Sequence, residues 1–143
     1  MNEFEIISLE YSFLINNSIF QIGAWVGILI SFFAALKVNK SGASRIAKAA
    51  ISIFSVLWVL LSLGVAAFRN FGVQIAHIRI AELRDSGVKI TNSTAQLLKD
   101  SGMKSTDVAQ INLFGDFQSV IFNLLLLILI ITVTWAPGEG NKI

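Results

Sequence analysis

His77 is the only histidine in the chain, and there is no cysteine. A structural zinc takes four protein ligands and a catalytic one three. A bis-histidine haem would need its second axial ligand from another chain. One histidine supplies neither set, so His77 reads as a surface or interface residue. Thiolate zinc sites, iron–sulfur clusters and thiol catalysis are excluded by composition. Asp85, Asp100, Asp107 and Asp116 have the spacing of solvated loop carboxylates, not of a calcium loop. The sequence singles out no Ser-His-Asp set, since many serines could stand beside the one histidine. The chain is therefore read as non-enzymatic, with no catalytic residue, cofactor or metal site and no small-molecule substrate.

One motif occurs twice. Leu83-Arg84-Asp85-Ser86-Gly87-Val88-Lys89 is echoed fifteen residues later by Leu98-Lys99-Asp100-Ser101-Gly102-Met103-Lys104. A duplicated binding loop is one reading. The other is a pair of helix stops, because glycine takes the left-handed cap conformation without a Cβ penalty. Neither copy has the second glycine or the Gly-Lys-Ser/Thr ending of a phosphate loop, and the helix-stop reading is preferred.

Three further constellations suit helix association. Gly23, Gly27, Ser31 and Ala35 recur every four residues and run along about 18 Å of helix. Small residues let two helix backbones approach closely in lipid, either within one chain or between chains. Asn112, Asp116, Ser119 and Asn123 fall at i, i+4, i+7 and i+11, one face of a continuous helix. Asp116, Ser119 and Asn123, with Asn16, Asn17 and Gln21, form a candidate intramembrane polar cluster. Such amides act either as glue between helices or as the lining of a wet path. Leu127 and Ile130 follow Asn123 on the same face, which favours glue. Arg69 and Asp116 end one apolar run and begin another, and are expected to pair at the membrane interface.

The elements that position these residues follow from the uncharged runs. Of the 143 residues, 55% are hydrophobic and 14% charged, against about 25% charged in a soluble domain. Mean hydropathy is +0.72, so disorder is excluded. No charge occurs from Tyr11 to Leu36, from Ala49 to Phe68 or from Phe117 to Gly138. Each run reaches the roughly 20 residues that cross a bilayer as a helix. The unbroken Leu124–Ile131 segment lacks the alternation of a barrel strand. The expected fold is all-α: one integral membrane domain over 1–143, with three transmembrane helices at about 13–36, 48–69 and 117–136. The acidic flank Glu3, Glu5, Glu10 is unlike a signal peptide, so the first span is read as retained.

Lys37, Lys40, Arg45 and Lys48 crowd the first loop, while the N-terminal tail has no cation. The positive-inside rule then puts that loop in the cytoplasm and the N-terminus outside, with the C-terminus inside near Lys142. The expected location is the inner membrane of a cell. Trp135, just before Pro137-Gly138, suits an interfacial anchor.

The loop 70–116 is expected to be extramembrane and helical. The second span runs on to about Leu83, a short helix follows from the Thr91–Thr94 cap to about Lys99, and a helix from Ser105-Thr106-Asp107 leads into the third span. Asn70–Asp85 carries apolar residues on several faces, which suggests packing against other chains or the membrane surface.

These features suggest a small non-enzymatic membrane protein that forms homo-oligomers or serves as an accessory subunit of a membrane complex. Its partners would be the lipid bilayer and itself or other membrane subunits. Nucleic acid is not expected, for want of a basic helix or an aromatic platform. The span count and orientation resemble those of small three-span phage holins, a resemblance that implies a homo-oligomeric pore or channel; this chain's tail, Gly138–Ile143, lacks their strongly basic ending. A third reading is a membrane anchor subunit of a respiratory or other enzyme complex, although such anchors usually carry paired histidines in their spans.

Overall fold

A computed structural model describes residues 2–137. Among them the secondary structure is helical, without strands, in four elements: α1 (Glu3–Lys40), α2 (Arg45–Asp85), α3 (Asn92–Ser101) and α4 (Phe117–Trp135). Three of these, α1, α2 and α4, are long and apolar enough to cross a membrane. Gly138 and Lys142, used above for the chain end and its orientation, lie outside the described residues.

Each helix starts where a polar side chain replaces a missing acceptor. Asn2 and Glu5 form a reciprocal capping box: the Asn2 amide donates to Glu5 Oε2 and the Glu5 amide to Asn2 Oδ1, both at 2.9 Å. This starts α1 ten residues before the expected span. A turn at Ser41-Gly42 separates α1 from α2, and Ser44 Oγ accepts from the Ala47 amide at the start of α2. Thr91 caps α3, as expected. Asp116 caps α4, its carboxylate accepting from the Ser119 amide at 3.2 Å and the Ser119 hydroxyl at 2.7 Å.

Both copies of the repeat are helix stops. Gly87 and Gly102 have φ of +85° and +67°, which favours glycine. Their amides donate to Arg84 and Lys99 carbonyls, while Ser86 and Ser101 hydroxyls donate to Leu83 and Leu98 carbonyls. In the first copy the Val88 amide also reaches the Leu83 carbonyl at 3.3 Å, completing a Schellman cap.

The helix expected from Ser105 into the third span does not form; residues 102–116 are irregular. The would-be capping groups are spent on other bonds. Asp107 Oδ2 accepts from the Lys104 amide at 2.8 Å, closing a turn, and Ser105 Oγ donates to Asp85 Oδ2 at 2.6 Å. Asn112 therefore stands outside α4 and does not share a helical face with Ser119 and Asn123.

The chain divides into two compact units, residues 1–18 with 67–112 and residues 19–66 with 113–143. The first unit has a core of Ile6, Ala76, Ile80, Ala81 and Leu98. The second closes on Ile28, Ala35, Val59, Leu63 and Ile130.

Candidate functional site: a small-residue seam, a polar pair and two clefts

In the second unit, α1 presents Ala24, Gly27, Ile28, Ser31 and Ala35 as its buried face, all at 3% exposure or less where hydrophobic. The expected stripe is only partly this face. Gly27, Ser31 and Ala35 lie on it, whereas Gly23 is exposed, with open space where a Cβ would sit. Gly27 is required by close approach, since a Cβ there would run into the Trp58 indole of α2. Trp58 in turn makes an edge-on contact with Phe54, ring centroids 5.8 Å apart. Most of the stripe thus serves a contact within the chain. Its counterpart on α2, Ser55, Val59, Ser62 and Ala66, is equally buried. These residues recur at i, i+4, i+7 and i+11, a small-residue periodicity that sequence reasoning passed over.

Of the polar cluster, Gln21 makes the interhelical bond: its Nε2 donates to Ser62 Oγ of α2 at 2.8 Å. Asn123 is 3% exposed; its Nδ2 donates to the Ser119 carbonyl one turn back, and its Oδ1 has no partner. Ser31, Ser55 and Thr134 donate to carbonyls four residues earlier in their own helices, the usual way a hydroxyl is satisfied inside a helix. Asn16 is exposed and Asn17 half-buried in α1, both in the first unit. Arg69 belongs to the first unit and Asp116 to the second; Asp116 is half-buried and engaged by Ser119. At the other end of α4, Trp135 Nε1 donates to Ser52 Oγ of α2 at 3.0 Å.

The first unit is tied together by side chains from three segments. Glu3 clasps the cap of α3, accepting from the Thr91 amide at 3.0 Å and its hydroxyl at 2.7 Å. Glu3 lies ten residues before the expected span, and hydroxyls of Thr94 and then Thr91 hold its carboxyl below the usual range. Gln74 of α2 grips one peptide of the irregular segment: its Oε1 accepts from the Gln110 amide at 3.0 Å and its Nε2 donates to the Gln110 carbonyl at 3.5 Å. Asp85 holds the same segment through Ser105; that hydroxyl, and next Arg84 at 2.8 Å, keep its carboxyl low. Beside these ties lies a cleft of about 710 Å³, lined by Ile6, Ile75, Ile78, Val108, Arg79 and Glu82 among others. Its size falls within the range of small-molecule pockets.

Ala76, Ile78, Ile80 and Ala81 are buried inside this unit. The several apolar faces of Asn70–Asp85, expected to meet other chains, are thus largely covered by Ile6 of α1 and Leu98 of α3. The reason is that α1 begins early and brings its own apolar residues to α2. His77 is half-buried in α2. No group of three or more His, Asp or Glu residues capable of holding a metal occurs among the described residues.

A second cleft, of about 290 Å³, lies between α1 and α4 in the second unit. Its lining is wholly apolar: Trp25, Ile28, Leu29 and Phe32 from α1, and Phe122, Leu126, Leu129 and Ile130 from α4. Trp25 and Phe122 close one end, ring centroids 6.1 Å apart. Neither cleft was legible beforehand, because each joins residues from helices distant in sequence. In comparisons with protein families, curated proteins and solved structures, the chain matches none.

Proposed function

We propose that the chain is an integral membrane protein with spans at about 13–36, 48–69 and 117–136, acting as a non-enzymatic subunit of a membrane assembly formed with copies of itself or with other membrane chains. The observation that carries this reading is the outer surface of the second unit. Ile22, Leu29, Ile53, Leu57, Leu125 and Ile128 are each more than half exposed. In water each such side chain forgoes about 1.5–3 kcal/mol of burial, so the surface suits hydrocarbon or another protein. The helix lengths agree. The 21-residue step from Lys48 to Arg69 rises about 31 Å, close to the roughly 30 Å of a bilayer core.

The subunit reading draws on how little each helix buries at home. In the most apolar stretch of α4, 22% of residues are buried within the chain, against 39% in α2. Outward apolar area therefore remains for neighbours. Of the polar groups at depth, Gln21 bonds across to Ser62 of α2, which favours helix glue over a water-lined path in one chain, while Ser31, Ser55 and Thr134 are satisfied within their own helices.

The test is the particle mass of the full chain in nanodiscs. A mass of two or more copies, or of one copy with a fixed partner, is the expected result. A particle containing one copy and nothing else overturns the subunit reading.

A further inference from the structure

We propose that the apolar groove between α1 and α4 is a binding site for one anionic phospholipid, its acyl chain lying in the groove and its headgroup at the Lys37–Lys48 turn. This rests on the membrane reading above and adds a specific ligand to it. Three observations meet here.

The first is shape and polarity. Every residue lining the groove is apolar, and its floor, Ile28 and Ile130, is 3% and 1% exposed. A hydrocarbon chain loses no hydrogen bond on entering it, whereas a polar ligand would find no partner.

The second is length and direction. On α1 the groove face runs Trp25, Ile28, Leu29, Phe32 and continues at helical spacing through Leu36 to Lys40. From Leu36 to Trp25 the helix rises about 16 Å, close to half of the roughly 30 Å hydrocarbon core. The groove itself is lined from Trp25 to Phe32, about 10 Å of that rise; a tail seated in it runs on along Leu36 towards the cations, with the Trp25–Phe122 contact at the groove's inner end.

The third is charge. Lys37, Lys40, Arg45 and Lys48 stand at the end towards which this face points, with no acidic residue between Glu10 and Glu82 in sequence. In the second unit the only described acid is Asp116, at the far end of α4 from Trp135. Arg45 and Lys48 occupy the first turn of α2, the end of a helix that disfavours cations. Among the described residues of this unit no carboxylate stands at this end, and Lys37, Lys40 and Arg45 are exposed. A phosphodiester headgroup carries the charge that such a cluster attracts.

The test is native mass spectrometry of the full chain released from nanodiscs of phosphatidylcholine with a minor share of phosphatidylglycerol. Wild type should retain one phosphatidylglycerol in preference to phosphatidylcholine. Lys40→Gln and Arg45→Gln should each lower that preference about fivefold, the scale of one cation near an anionic surface. Leu129→Trp, which fills the groove and leaves the cations in place, should abolish retention of the single lipid. Equal retention of the two lipids overturns the proposal. So does a preference that survives Leu129→Trp, since it would be surface attraction alone, and so does a second copy of the chain held in place of lipid. A chain recovered without detergent in the soluble fraction defeats the membrane reading itself. A chain that stays in the bilayer but shows no preference defeats only the lipid site.

Discussion

Replacing Gly27 by alanine adds one methyl group at a close contact between α1 and α2. The new Cβ would run into the Trp58 indole, and Trp58 is itself held edge-on by Phe54. Either the indole leaves its place or the helices separate. Overfilling a packed site of this kind costs about 1–3 kcal/mol. The helix preference of alanine over glycine returns only about 0.5–1 kcal/mol, so the variant should be destabilised by up to about 2.5 kcal/mol. Gly23 is the control: it lies one turn away in the same helix and has nothing within 4 Å of an added Cβ. Gly23→Ala should be neutral or slightly stabilising. The assay is reversible unfolding in mixed micelles, followed by circular dichroism, for the two single variants and for Gly27→Ala combined with Trp58→Ala. With the indole removed, the methyl has room, and the penalty at Gly27 should vanish as a coupling of about 1–3 kcal/mol. Equal effects at Gly23 and Gly27, or a penalty that persists without Trp58, would refute the reasoning.

Other expectations follow from the same contacts. Ser62→Ala leaves the Gln21 amide without its acceptor and should cost about 0.5–2 kcal/mol in the same unfolding assay, with Gln21→Leu in that background recovering part of it. Ile78→Asp places a carboxylate where 9% of the side chain is exposed; faster amide exchange across 70–110, with the spans still inserted, is the expected readout. Asp85 has a lowered carboxyl, so its ionised form favours the folded first unit at neutral pH, and that contribution is lost as pH falls from about 4 through the lowered value. Amide protection over 104–110 should drop in that acid window, and the drop should be smaller in Ser105→Ala, where Arg84 alone still lowers the Asp85 carboxyl. For topology, a cysteine placed at Ser93 should label from outside intact cells and one at Ser41 should not; the reverse pattern inverts the assigned orientation.

The uncharged runs made the three long helices legible, because crossing length and charge are one-dimensional properties. The continuation of α2 to Asp85 was legible for a similar reason: nothing between Ala49 and Ser86 breaks a helix. Ser105 and Asp107 misled, since the side chains that cap a helix also close turns, and only the position of Asp85 decides between the two. The seam shows the same limit. Gly27 and its neighbours marked a close contact, but Trp58 lies thirty-one residues away in sequence, and no periodicity names a partner at that range. Ser62 was hidden in the same way, as the acceptor for Gln21. The Asn70–Asp85 faces have no visible cover in the sequence, because that cover comes from the early start of α1, set by Asn2 and Glu5.

The paired helix stops give the first unit an unusual kind of modularity. Because Leu83–Gly87 and Leu98–Gly102 end their helices with matching bonds, the fifteen residues from Val88 to Gly102 are bracketed by equivalent punctuation. Excising them joins Gly87 directly to Met103, a junction that already exists locally as Gly102-Met103. The bond from the Gly87 amide to the Arg84 carbonyl involves none of the excised residues, whereas the Val88 amide's bond to the Leu83 carbonyl goes with them, as does α3 with its Leu98 plug and its grip on Glu3. A change of one whole repeat at this point therefore keeps the Ser-Gly stop that ends α2 and alters what packs against it.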